Sequence, residues 1–105
     1  MLMILKQCER ELQEWPEDVK GDLADAIARL ERFQTLSMPL SRPMPSIGFG
    51  VHELRFRDRM GVYRAVYWLA GGNRIWLLHA FKKKTQQTSR QNIELARERL
   101  KRIPR

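Results

Sequence analysis

One cysteine, two histidines, no glycine-rich phosphate loop and no long apolar run narrow the reading of this 105-residue chain before any pattern is considered. Cys8 alone excludes an internal disulfide and any multi-cysteine metal site; a single thiol fits a reducing cytoplasm and reads as a small apolar filler. No apolar stretch approaches the roughly 18 residues needed to cross a membrane. The opening residues MLMILKQCERELQ lack a basic n-region, a long apolar h-region and a small-residue cleavage site, so no signal peptide is expected. Gly71-Gly72 reads as a turn and not as part of a P-loop or Rossmann fingerprint. His52 and His79 lack metal-ligand spacing, and strand alternation puts them on opposite faces, which argues against a two-histidine acid–base pair.

What is present is basic charge, unevenly placed. The chain carries 43% hydrophobic and 30% charged residues, a globular composition of one-domain length. Residues 1–38 hold five Lys/Arg against eight Asp/Glu, and residues 39–105 hold fifteen against four. An acidic front and a strongly basic remainder suggest a face for a polyanion, most commonly nucleic acid, with phosphate contacts dominating affinity.

Periodicity divides the chain into helices, a loop, a sheet and a last helix. Residues 4–14 form a short amphipathic helix ended by Trp15-Pro16, since the residue before proline is pushed out of the α region. A second helix over 17–34 begins with Glu17 and Asp18 at its positive end and carries Val19, Leu23, Ile27, Leu30 and Phe33 as its apolar stripe. Residues 35–50, with three prolines and two glycines, read as a connecting loop. Residues 88–103 form a basic helix, with Thr88 and Gln91 in capping-box spacing and Ile93, Ala96, Leu100 and Ile103 on its apolar face.

Between the loop and the last helix, three strands are expected at 51–57, 62–69 and 74–81, joined by the turns Asp58-Arg59-Met60-Gly61 and Ala70-Gly71-Gly72-Asn73. With even loop lengths Arg55 lies opposite Arg64, and Arg64 opposite His79. Arg55, Arg57, Arg64, His79 and Lys83 then share one face, together with Val66, Trp68, Ile75 and Leu77. Leu54, Phe56, Tyr63, Ala65, Tyr67, Leu69, Trp76, Leu78 and Ala80 form the opposite, apolar face. The first face has an apolar end that needs a helix and a cationic end left as a cleft. Trp68 and Trp76 read as core.

An arginine and lysine cluster can perform metal-free phosphate chemistry. When RNA is cleaved by its own 2′-hydroxyl, fixed cations stabilise the charge that develops on phosphorus. A lysine crowded by cations, as in Phe81-Lys82-Lys83-Lys84, loses proton affinity and can take part in proton transfer. A basic strand end is more often a surface that holds phosphates than a catalyst.

The segments VHELRFRD, GVYRAVYWL and IWLLHAFKKKTQQTS, followed by a basic helix near NIELARERL, resemble the RelE/HigB toxins of the RelE/ParE superfamily, most closely the phage-related Tad/HigB-like branch. The resemblance spans nearly the whole chain, including WPEDVKGDLADAIARL. It implies a single domain over residues 1–105 with a small α+β, RelE-like fold. That fold has a curved, mainly antiparallel sheet of three to four strands, two N-terminal helices and one C-terminal helix. Many members begin with an extra strand, which MLMIL leaves short or absent here.

The resemblance further implies the toxin of a type II toxin–antitoxin system: a cytoplasmic endoribonuclease that cuts mRNA in the ribosomal A site without metal or other cofactor, leaving cyclic or 3′-phosphate ends. Carried over by residue, Arg64 would stabilise the transition state, with Lys82 and Lys83 supplying phosphate stabilisation and proton transfer. Arg55 and Arg57 would hold the RNA backbone, Arg59 and Lys84 would be peripheral contacts, and His79 is an outside candidate for proton transfer. The implied partners are a helix-turn-helix antitoxin, through which alone operator DNA is reached, and mRNA on the ribosome, with no membrane. The alternative within the superfamily is a ParE-like toxin that inhibits DNA gyrase by binding.

Overall fold

The computed structural model describes residues 1–83 and 87–104. In chain order the elements are β1 (Leu2–Ile4), α1 (Lys6–Gln13), α2 (Glu17–Glu31), β2 (Ser41–Pro43), β3 (Val51–Asp58), β4 (Gly61–Leu69), β5 (Ile75–Lys83) and α3 (Arg90–Lys101). The class is α+β, as expected, but the sheet has five strands in the order β1-β5-β4-β3-β2 instead of three or four. β1 runs parallel to β5 and every other pair is antiparallel. The N-terminal strand, expected to be short or absent, is present with three residues. β2 lies in the proline-rich stretch that read as loop; an edge strand tolerates Pro43 because its outer side needs no ladder bond.

α1 and α2 cover one face of the sheet. Val19, Leu23, Ile27 and Leu30 pack there with Leu54, Tyr63, Ala65 and Tyr67, and Trp15 sets its ring edge-on to Phe56 and Tyr63 at 6.2 and 5.5 Å. Cys8 is fully buried, and burial, reinforced by Glu11, pushes its thiol up to about 12. α2 stops three residues before the expected end. Phe33 takes φ +64 and, with Gln34, donates its N–H back to Leu30 and Arg29, closing the helix as a Schellman turn. Phe33 therefore leaves the apolar stripe and is 77% exposed.

The first hairpin has the expected register. Asp58 pairs with Gly61 across a two-residue loop, and its Oδ1 accepts from the N–H groups of Met60 and Gly61 at 2.7 and 3.1 Å. Arg55 consequently faces Arg64 and Arg57 faces Val62. The second hairpin differs. Its connection has five residues, 70–74, in which Gly71, Gly72 and Asn73 all adopt positive φ, and a bulge follows between Val66 and Tyr67. Arg64 is opposite Phe81, and Val66, not Arg64, is opposite His79. The odd loop and the bulge also turn Ile75 and Leu77 toward α1 and α2, and Trp76 and Leu78 toward α3, the reverse of the expected assignment.

α3 packs on the second face through Ala96, Leu100 and Ile103, against Val51, Val66 and Leu78. Its cap is Ser89, whose Oγ accepts from the Asn92 N–H at 3.2 Å, and not Thr88 as the spacing suggested. Glu11 ties both helical layers to β5. Its carboxylate receives a two-pronged contact from Arg99 at 2.8 and 3.0 Å, accepts from the Ala80 N–H at 3.1 Å, and lies 3.0 Å from His79 Nδ1. Burial alone would raise this carboxyl, but hydrogen bonds from His79, Arg99 and Ala80 outweigh it and hold Glu11 at about 2 against an ordinary 4.5.

Since this pKa is depressed, the stabilisation is complete above pH about 4.5 and is lost as the pH falls through about 2. Glu11→Ala leaves Arg99 and His79 without their carboxylate and is expected to cost about 3–5 kcal/mol in urea denaturation at neutral pH. The difference between the native chain and this variant should shrink below pH 4.5.

Candidate anion-binding face

The centre of the α3-side face is an ion pair. Glu53 and Arg64 are both fully buried, and Arg64 Nη1 donates to Glu53 Oε1 at 2.5 Å. The sheet register dictates the meeting: Arg55 faces Arg64, so Glu53, two residues earlier on the same face, lies diagonally across from it. Thr88, released from capping duty, donates its hydroxyl to Glu53 Oε2 at 2.6 Å and accepts a longer contact from Arg64 at 3.4 Å.

Cations surround this pair in excess of its one carboxylate. Lys83 reaches the same face from the end of β5, and its side chain is 8% exposed. Its Nζ has no hydrogen-bond acceptor among the described residues. Burial, followed by the charge of Arg64, lowers the Lys83 pKa below its ordinary 10.5, while Glu53 opposes the shift. Arg55 is half-buried; burial and then the charges of Arg64, Arg42 and Arg57 act to lower its pKa, again with Glu53 opposing. Arg42, opposite Glu53 on β2, belongs to this cluster, although its segment read as a linker. A groove of about 360 Å³ opens beside Arg55 and Arg57, lined also by Pro39, Phe56 and Val62. A second, of about 290 Å³, runs from Arg42 past Ser46 to Thr88.

The structure thus gathers Arg55, Arg57, Arg64 and Lys83 on one face; His79 shares that face but lies outside the cluster, and Lys82 and Arg59 are directed elsewhere. Lys82 points to the opposite face, where its Nζ stands 5.7 Å over the Tyr63 ring, so the two neighbouring lysines do not converge. Arg59 is exposed at the tip of the first hairpin. Lys84 lies outside the described residues. His79 is enclosed in the Glu11 cluster, with Nε2 2.7 Å from Asn92 Oδ1 and its ring stacked on Phe81 at 4.7 Å. It does not face Arg64. Glu53, Thr88 and Arg42 were not foreseen; register arithmetic from the Arg55–Arg64 pair would have flagged Glu53. Among the described residues no group of three or more His, Cys, Asp or Glu is placed to hold a metal ion.

Fold and face together define a small α+β domain with a cation-rich sheet end organised over one buried carboxylate. The chain belongs to the phage-derived Gp49-like protein family, whose sequence model matches residues 10–101, a family of RelE/ParE-like toxins. None of the curated proteins matches it. No helix among the described residues is long and apolar enough to cross a membrane.

A buried ammonium without an acceptor is a local cost to folding. Lys83→Met is expected to raise stability by about 1–3 kcal/mol at neutral pH, read as a higher urea midpoint. The folded-state pKa of Lys83 lies below the unfolded value, so the penalty is full below the folded pKa and fades as the pH rises toward 10.5. The advantage of the methionine variant should therefore narrow in that direction.

Proposed function

We propose that this protein is a HigB-like toxin of a type II toxin–antitoxin pair, a cytoplasmic, metal-independent endoribonuclease acting on mRNA at the ribosome. The observation that carries this reading is Lys83, a buried ammonium with no acceptor among the described residues, beside the buried Arg64, at a face that also holds Arg42, Arg55 and Arg57. An RNA phosphate supplies the missing acceptor. Arg55 and Arg57 hold the backbone from the open groove. The Lys83 ammonium donates to the phosphate and acts as the general acid. The 2′-hydroxyl gives its proton to water as the O2′–P bond forms, the P–O5′ bond breaks, and the departing O5′ takes the Lys83 proton, leaving a cyclic phosphate, after which the amine is reprotonated from water.

Arg64, enclosed by Glu53 and Thr88, acts as a positioning residue that fixes the field of the site. Lys82, Arg59 and Lys84 serve as outlying phosphate contacts. The partners on this reading are ribosome-bound mRNA and a helix-turn-helix antitoxin that mediates any contact with operator DNA; no membrane is involved.

The full enclosure of Arg64 favours one other reading, in which the face only binds and the toxin inhibits gyrase without cutting RNA. Primer extension on reporter mRNAs after brief induction separates the two. Cuts phased to codons are expected from the native chain. They should fall at least about 100-fold in Lys83→Met, the low end of what a positioned proton-transfer group contributes, although that variant is the more stable. Growth arrest with intact mRNA and a DNA-damage response would instead establish the binding reading.

A further inference from the structure

At the far end of α3 from Thr88, Gly48, Phe49, Trp68, Arg97 and Lys101 line an open groove of about 420 Å³. Phe49 stands in it 99% exposed. The flanking glycines produce this display. A Cβ on Gly48 would lie 2.7 Å from Leu100 Cδ2, and Gly50, at φ +76, would set one 3.1 Å from the Leu69 carbonyl oxygen. Only bare backbone lets the loop lie flat on α3 and the end of β4, and the residue between the two glycines is directed outward.

The charges around the ring are also selective. On the exposed side of α3, Arg90 pairs with Glu94 and Arg102 with Glu98, at 3.0 and 3.7 Å. Arg97 and Lys101, one helical turn apart and both lining the groove, form no ion pair with any described residue. The Arg97 guanidinium is held at the rim by donating to the Ser46 carbonyl. Among the described residues no carboxylate lines the groove.

We infer that this groove is a second RNA contact, in which an unpaired base stacks on Phe49 while its flanking phosphates lie against Arg97 and Lys101. An exposed ring sharing a groove with two cations that pair with no described carboxylate is an arrangement by which proteins hold single-stranded nucleic acid. The two cations on α3 complement the phosphates of a nucleic-acid strand. α3 spans about 18 Å from its cap to Lys101, so one strand following the helix can reach both this groove and the Lys83 face. The inference rests on RNA being the substrate.

The test is fluorescence anisotropy with a labelled, 2′-O-methylated single-stranded oligoribonucleotide, which the protein cannot cleave, and with a matched oligonucleotide bearing abasic sites. Phe49→Ala is expected to weaken binding of the intact strand about 5- to 100-fold, Phe49→Trp to retain it, and neither change to affect the abasic strand. Phe49→Ala binding the intact strand as tightly as the native chain would overturn the inference, as would a native chain with no affinity for it or an equal loss on both strands. If mRNA cleavage fails to appear in cells while the Phe49-dependent, base-dependent affinity stands, the nuclease reading falls and the contact remains.

Discussion

The α3-side face of this protein depends on the placement of Glu53. It is the carboxylate that offsets the buried Arg64, and it acts as well on Lys83 and Arg55. One negative charge cannot balance them all, so the face is left with a surplus of positive charge where the dielectric is low and charges act strongly. A fold selected for stability alone would fill such a position with apolar side chains, since buried ion pairs contribute little net stability. The burial of Arg64 and Lys83 toward one end of a small sheet is physically intelligible if an anion from outside completes the arrangement.

The same helix secures both this face and the rest of the fold. Shifting the α3 cap from Thr88 to Ser89 leaves Thr88 available for Glu53, and one turn later Asn92 meets His79. Arg99, further along, closes on Glu11 from α1 and on the Leu78 carbonyl. α3 is therefore fastened at its start to the cationic face and in its second half to the clasp that binds α1 to β5. Displacing it would open two polar networks at once, and for a domain of marginal stability that joins the integrity of the site to that of the fold.

Much of this was legible from periodicity. The strands, the amphipathic α2 and the apolar side of α3 follow from residue spacing, and the first hairpin's register follows from Asp58 and Gly61, so the Arg55–Arg64 pairing could be read in advance. The second hairpin could not. Gly71, Gly72 and Asn73 support a four- or five-residue connection equally well, and the bulge at Val66 and Tyr67 depends on packing between distant strands. The odd loop and the bulge each shift the register by one, so His79 moves from Arg64 to Val66 and stays on the same face. β2 was hidden because prolines mark loops and edge strands alike. Glu53, Glu11 and Arg99 were missed for a different reason: a charged residue in a strand or helix reads as solvated until its long-range partner is known. The lysine pair shows the converse. Adjacent basic residues look like one cluster in sequence, yet strand alternation places Lys82 and Lys83 on opposite faces.

The claim that the surplus positive charge on this face awaits a phosphate is tested most directly at Lys83 itself. Titration of the lysine side-chain Cε signals by NMR, without and with an uncleavable oligoribonucleotide, reads the charge state of that one amine. The account predicts that Lys83 titrates below the ordinary 10.5 in the free protein and rises when the strand is bound, because a neighbouring phosphate stabilises the ammonium. An ordinary titration in the free protein, or one that the nucleotide leaves unmoved, would contradict it.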